Sequence, residues 1–352
     1  MSAGDFLRYG ALALQLTTCS VGHLSDPRQA RARILQNIAR IAQRIGAILE
    51  AGDGGSALPL RLIVLPEYSL SGSPTPGVFA NWRRLAALEP AGAEYEALAA
   101  IAQRHGLYLG GNAYEADPAF PDLYFQACFL FAPSGQQVLR YRRLISLYSP
   151  SPYDVLERYL AIHGRESLFP VADTDIGRVA AIASEEILYP EIARCHAMRG
   201  AELFIHSTSE MGSPLPTAKD VAKRARAAEN LAYVVSANTA GVENTSLPAC
   251  SSTGMSKIVD YEGQVIAAAP GGGESHAALA EVDLAALRAR RRQGGLGNPL
   301  VRQPLQAYAE SYRQAPFHAA GQLEAADARS ETATLRETQL RNIERLARLG
   351  LI

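Results

Sequence analysis

Short apolar runs alternate along this chain with segments whose apolar residues recur at helical spacing, and few architectures accommodate that order over so many elements. "YGALALQL", residues 9–16, suits a strand buried on both faces. Ser25 or Asp26 can cap the helix that follows, Pro27 suits its first turn, and Ile34, Ile38, Ile41, Ile45 and Ile48 fall on one side of it. "LRLIVLPE", from Leu60, is a second buried strand, followed by a Gly/Pro/Ser-rich loop and a helix over 94–104. "LYLGGNAYE", "YFQACFLFAP" and "QQVLRYRRL" predict three strands, the last two joined by a turn at Pro133, Ser134 and Gly135. Strands over 178–184 and 202–207 flank a helix, and a helix over 218–230 feeds the strand "AYVVSAN". "MSKIVD", "GQVIAAA" and "AALAEVD" supply the last strands. The expectation is a layered α/β fold with helices covering sheets.

One domain is expected over 1–285. Beyond it, "RARRRQGGLGNP" has the composition of a solvated or linker-like charge run, and 331–349 form a terminal helix. This C-terminal extension, 286–352, is expected to pack on the body or on a neighbouring subunit. At 352 residues, with 48% apolar and 20% charged side chains, there is enough chain for a sizeable core. The net charge of -1 gives no general pull toward nucleic acid or an anionic membrane, so the expected partner is a small molecule, as substrate, or a protein. No apolar run approaches the ~20 residues of a membrane span, and the N-terminus lacks a basic segment followed by an apolar one. Cys19, Cys128, Cys195 and Cys250 form no CxxC pair, which points to reduced thiols and a cytoplasmic setting. The histidines have no metal-ligand spacing, and "PGGGES" lacks the strand–loop–helix context of a phosphate site, so neither a metal nor an organic cofactor is expected.

Three polar positions stand at strand ends, where α/β sheets build their sites: Glu67 in "LPEYSLSG", Arg143 in "YRRLISLYSP" and Ser184 in "IASEEILYPE". Taken alone, a carboxylate after a strand is more often a solvated loop residue. With "RAAENLAYVVSANTAG" and "GMSKIVDYEGQVIA" further on, however, the ordered set resembles the nitrilase, or carbon-nitrogen hydrolase, superfamily over about residues 9–285, and within it the aliphatic-amidase and formamidase type. That resemblance implies an α-β-β-α sandwich, four-layered in a dimer, and hence a homodimer or larger homo-oligomer. It also implies a catalytic set of Glu, Lys and Cys. Here Glu67 keeps its identity, whereas the Lys position falls on Arg143 and the Cys position on Ser184.

These replacements change the available chemistry. A serine hydroxyl needs an adjacent base to take its proton, unlike a thiol that is partly ionised near neutrality. Arginine is always charged and can stabilise an oxyanion, but it cannot lend and recover a proton. Cys128 and Cys195 are better explained as small hydrophobes than as substitute nucleophiles. Candidate substrate contacts are Tyr68, Glu185, Glu186, His206, Ser209 and Glu157, with Asp154 the alternative to Glu157 at the family's second Glu position. Tyr148, Tyr153 and Arg158 add to the polar inventory of that segment. Two functions follow: an enzyme with an altered site acting on a small amide, nitrile or related polar molecule, or an inactive nitrilase-like binding or regulatory protein. The enzyme reading includes hydrolysis, hydration, elimination and isomerisation, none of which requires a thiol.

Overall fold

The computed structural model describes residues 7–52, 58–74, 79–146, 149–210, 216–246, 248, 252–314, 317–324 and 332–352. Its strands are β1 (Arg8–Ala13), β2 (Thr17–Cys19), β3 (Leu60–Val64), β4 (Tyr108–Ala116), β5 (Tyr124–Phe131), β6 (Gln137–Arg142), β7 (Ala172–Thr174), β8 (Gly177–Ala183), β9 (Leu203–Thr208), β10 (Tyr233–Asn238), β11 (Gly241–Glu243), β12 (Lys257–Val259), β13 (Val265–Ala268) and β14 (Leu279–Asp283). The helices are α1 (Pro27–Glu50), α2 (Phe79–Ala86), α3 (Ala93–His105), α4 (Leu156–His163), α5 (Pro190–Met198), α6 (Ala218–Asn230), α7 (Leu284–Arg292), α8 (Leu305–Gln314) and α9 (Thr332–Arg348). Among the described residues no helix is long and apolar enough to cross a membrane.

Two six-stranded sheets carry the fold, ordered β14-β1-β3-β4-β5-β6 and β13-β12-β10-β9-β8-β7. In each, three parallel neighbours form the middle, β1, β3 and β4 in one and β8, β9 and β10 in the other, with antiparallel strands at the flanks. The period of two along a strand assigns the two faces. Ala11, Ala13, Leu62 and Val64 point into the core between the sheets, while Leu12, Leu14, Ile63 and Leu65 point to the core under α1 and α3. Helices α5 and α6 cover the second sheet, against β8 and β10. The result is an α-β-β-α sandwich, mixed α/β as the sequence predicts.

Asp26 caps α1, its side chain accepting from the Arg28 N–H at 2.9 Å, and Pro27 takes the first position. Burying each of the five expected isoleucines contributes about 1.5–3 kcal/mol, which anchors this 24-residue helix to its sheet.

The "RARRR" run departs from its expectation. It lies in α7, and the boundary drawn at 285 falls inside that helix. Arg288 pairs with Glu202 at 2.7 Å, and Arg291 donates to the carbonyls of Leu231, Ala201 and Asn230, where α6 and the turn after α5 end. Farther on, segment 317–324 lies on the body. The Gly321 N–H donates to Tyr153 C=O, the Leu323 N–H to Asp154 C=O, and Leu323 joins Phe120, Phe125 and Tyr159 in a small core.

Candidate active site

The site lies at the C-terminal ends of the parallel strands and takes residues from both sheets. Three residues past β3 comes Glu67, fully buried, its N–H donating to Thr208 C=O at 3.3 Å and its C=O accepting from Thr239 Oγ1 at 2.7 Å. The Ser207 hydroxyl donates to Leu65 C=O at 2.7 Å, a further link between the sheets.

Ser184 follows β8 and opens a 3-10 turn (Ser184–Leu188) leading to α5. Its φ of 48° is left-handed, unusual for a residue with a side chain and costing on the order of 1–3 kcal/mol, so surrounding bonds must hold it. One comes from His206, whose Nε2 lies 2.8 Å from Ser184 C=O. Because a carbonyl can only accept, Nε2 carries the proton and Nδ1 accepts from Ser236 Oγ at 2.9 Å. Burial, with the Lys223 charge adding to it, lowers the His206 pKa to about 3, consistent with a neutral ring used on both sides.

The other hold on Ser184 is its side chain. Oγ donates to Glu67 Oε2 at 2.6 Å, and Ser209 Oγ donates to the same oxygen at 2.8 Å, while Gln126 Nε2 donates to Oε1 at 2.7 Å. Lys219 Nζ also donates to Ser184 Oγ at 3.2 Å and to Thr208 Oγ1 at 3.4 Å.

Arg143 follows β6, and the strand period sorts "YRR" onto two faces. Tyr141 and Arg143 point toward the site, whereas Arg142 points away to Glu115 and Asp117. The Arg143 guanidinium is shared among several acceptors: Nη1 lies 2.8 Å from Gln126 Oε1 and 3.7 Å from Glu67 Oε1, Nη2 lies 2.8 Å from Glu185 Oε1, and Nε donates to Ile145 C=O at 2.5 Å. Burial alone would lower its pKa, but the charges of Glu185 and Glu67 outweigh that and raise it, so the cation is permanent.

Glu67, Arg143 and Ser184 thus converge, and Glu185 and Ser209 join them. Tyr68 is partly exposed beside Glu67 with φ 66°, its ring stacked 6.3 Å from Tyr114. Three of the expected substrate contacts are placed otherwise. Glu186 is fully buried and accepts from Tyr141 OH and the N–H groups of Leu144, Ile145 and Ala183, so it fastens the turn after β8 to the chain after β6. His206 is buried behind Ser184 with both nitrogens engaged. Glu157 is exposed in the first turn of α4, where its N–H donates to Glu324, because the helix turns the side chain outward. Asp154 does not replace it, since its carboxylate is taken by the N–H and hydroxyl of Ser151.

Burial pushes the Cys128 thiol well up, and the charges of Glu186 and Glu67 push it further, which fits a core side chain. Cys195 lies in α5; Cys250 and Tyr148 lie outside the described residues. Among the described residues no group of acids, histidines and cysteines could hold a metal ion.

Two contributors were not singled out from the sequence. Gln126 sits in an apolar strand, and its face becomes known only from the register with β6. Lys219 left a signal: Lys219, Lys223 and Arg226 recur at helical spacing in "AKDVAKRARAAEN". Such a basic stripe suggests solvent, but Lys223 and Arg226 are buried, Lys223 on Glu210 and Arg226 on the carbonyls of Ile187 and Leu188.

A polar cluster with a hydroxyl on a strained strand end, set against a buried carboxylate, has the form of an acyl-transfer site. Residues 26–292 match the family described as carbon-nitrogen hydrolase. A probable nitrilase of Schizosaccharomyces pombe is 23% identical over 235 residues, covering 67% of this chain and 78% of its own length. An omega-amidase of Xenopus laevis is 29% identical over 203 residues, covering 57% of this chain and 71% of its own. In fold, a Saccharomyces cerevisiae member of branch 10 of the nitrilase superfamily superposes with a TM-score of 0.61 at 22% identity, across 81% of this chain and 93% of that one. A family match running from the start of α1 to the end of α7 takes in every strand of the two six-stranded sheets except β1, and every residue of the cluster, and the chain belongs to the carbon-nitrogen hydrolase family.

Proposed function

We propose that the protein hydrolyses a small amide with the Ser184 hydroxyl as nucleophile and Glu67 as general base, Ser184 and Arg143 standing where amidase-type members of the family carry cysteine and lysine. The observation that carries this is the 2.6 Å bond from Ser184 Oγ to Glu67 Oε2, within the range for a base taking a proton from a nucleophile. Glu67 takes that proton as Oγ bonds to the acyl carbon. It then gives the proton to the departing nitrogen as the C–N bond breaks. Water enters by the same route: Glu67 takes its proton, the ester C–O bond breaks and Oγ recovers a proton. Arg143 stands 3.7 Å from Glu67 Oε1 and holds Glu185 at the partly exposed side of the cluster. The names of the relatives, nitrilase and omega-amidase, favour amide and nitrile substrates. The reading carries with it a cytoplasmic setting, no cofactor, and a homodimer that stacks two sandwiches into four layers.

The test is ammonia release from a panel of short aliphatic amides and ω-amides. Turnover of at least one is expected, with Ser184→Ala and Glu67→Gln each lowering it about 10³-fold or more. No release from any of them, with no acyl group found on Ser184 by mass spectrometry, would remove the hydrolytic reading; tight binding without turnover would then favour the binding role.

A further inference from the structure

Ser184 Oγ has one proton and two lone pairs. Its proton goes to Glu67, and the cation that meets a lone pair is Lys219, at 3.2 Å. Arg143 has other partners: its nitrogens lie on Gln126, Glu185, Ile145 C=O and the far oxygen of Glu67. Two positive charges therefore divide the work that one cation would do at a simpler site.

Lys219 is placed for its part. Thr217 caps α6, its Oγ1 accepting from the Asp220 N–H at 3.1 Å, and Lys219 follows in the first turn. Lys223 on Glu210, Lys257 on Asp220 and Arg226 on the turn after Ser184 fix the helix from three directions. These pairs also take up Glu210 and Asp220. Among the described residues its ammonium meets two hydroxyls, Ser184 and Thr208, and no carboxylate at ion-pair distance. A long, hydrated side chain held on hydroxyls beside a nucleophile has little structural return.

We propose that Lys219 is a catalytic residue: its ammonium stabilises the negative charge on Ser184 Oγ, both as Oγ attacks the acyl carbon and as it leaves in breakdown of the ester. This rests on the serine-hydrolase reading above. In attack, Oγ forms its bond to the acyl carbon while its proton passes to Glu67, and Lys219 donates to the oxygen without losing its own proton. In breakdown, water bonds to the acyl carbon, its proton goes to Glu67, and the C–Oγ electron pair collects on Oγ against Lys219 until Glu67 returns the proton. Arg143 is then the positioning residue that orients Glu67.

The experiment measures phosphonylation of Ser184 in the full chain by a small dialkyl fluorophosphonate, read by intact mass and by peptide mapping. Lys219→Met should slow labelling about 10²-fold or more, as expected for loss of a charged donor to the reacting oxygen. Ethylamine added to Lys219→Ala should restore at least about a tenth of the wild-type labelling rate, since a small ammonium can occupy the truncated space. Thermal melting checks that each variant is folded, and a variant that melts early is judged by amine rescue in Lys219→Gly. Labelling of Lys219→Met at the wild-type rate, or no rescue by ethylamine, would overturn the role of Lys219 while leaving Ser184 as nucleophile. A wild-type protein that neither labels at Ser184 nor releases ammonia would overturn both.

Discussion

Three hydrogen bonds and one guanidinium converge on the Glu67 carboxylate, and they do not contribute equally. Ser209 is the partner with the fewest other duties, and Ser209→Ala should lower kcat about 3- to 10-fold with little change in KM, a loss near 1 kcal/mol visible in steady-state ammonia release. Arg143→Lys is the more severe change, because an ammonium cannot reach Gln126, Glu185 and Ile145 C=O at once; a drop of about 10- to 100-fold is expected in the same assay, with a lower melting temperature. At this scale the sequence exposed the identities of Glu67, Arg143 and Ser184 through their places after strands. It did not distinguish side chains that meet the Glu67 carboxylate and the Ser184 hydroxyl from those one layer behind. His206 and Glu186 occupy the right strand and turn, yet burial turns them into braces for Ser184, and only coordinates separate the two cases. Lys219 was obscured for the converse reason: a basic side chain on a polar helix suggests solvent until the helix is seen lying across the site.

The strands and long helices were legible because burial leaves a period in the sequence, as the five isoleucines of α1 illustrate. Element α7 was not, because arginines satisfied by carbonyls and a buried carboxylate have the same composition as arginines in water. Arg291 closes the ends of α6 and of the turn after α5 with three hydrogen bonds, so Arg291→Ala should destabilise the fold by about 2 kcal/mol in chemical denaturation while leaving turnover by the folded fraction intact. A solvated run would lose almost nothing.

For the molecule as a whole, three buried groups set an acid dependence. His196 and His206 are both lowered from 6.5 to about 3, chiefly by burial, so below about pH 6.5 the unfolded chain binds two protons that the folded chain refuses, and stability falls. Glu186 acts in the opposite direction: burial raises it from 4.5 to about 7, so between those values the folded chain holds a proton that the unfolded chain releases. The net is one proton, a loss of about 1.4 kcal/mol for each pH unit from 6 to 5. Urea midpoints across that range should show it, and His206→Gln should flatten the slope. Light scattering at micromolar concentration should give at least a dimer mass; a monomer would oppose the four-layer assembly.

Glu67 belongs to one sheet and Ser184 to the other, so the 2.6 Å between them measures the seam of the sandwich as a vernier measures the slip of two scales. A hydrogen bond tolerates a smaller displacement across that seam than apolar packing does. Gly110 shows the difference: a Cβ there would lie 2.9 Å from Ile205 Cδ1 on the facing sheet. Gly110→Ala should therefore leave circular dichroism unchanged, and if Ile205 cannot turn aside, any parting of the sheets that takes up the methyl would lengthen the contact between Ser184 and Glu67 and lower ammonia release.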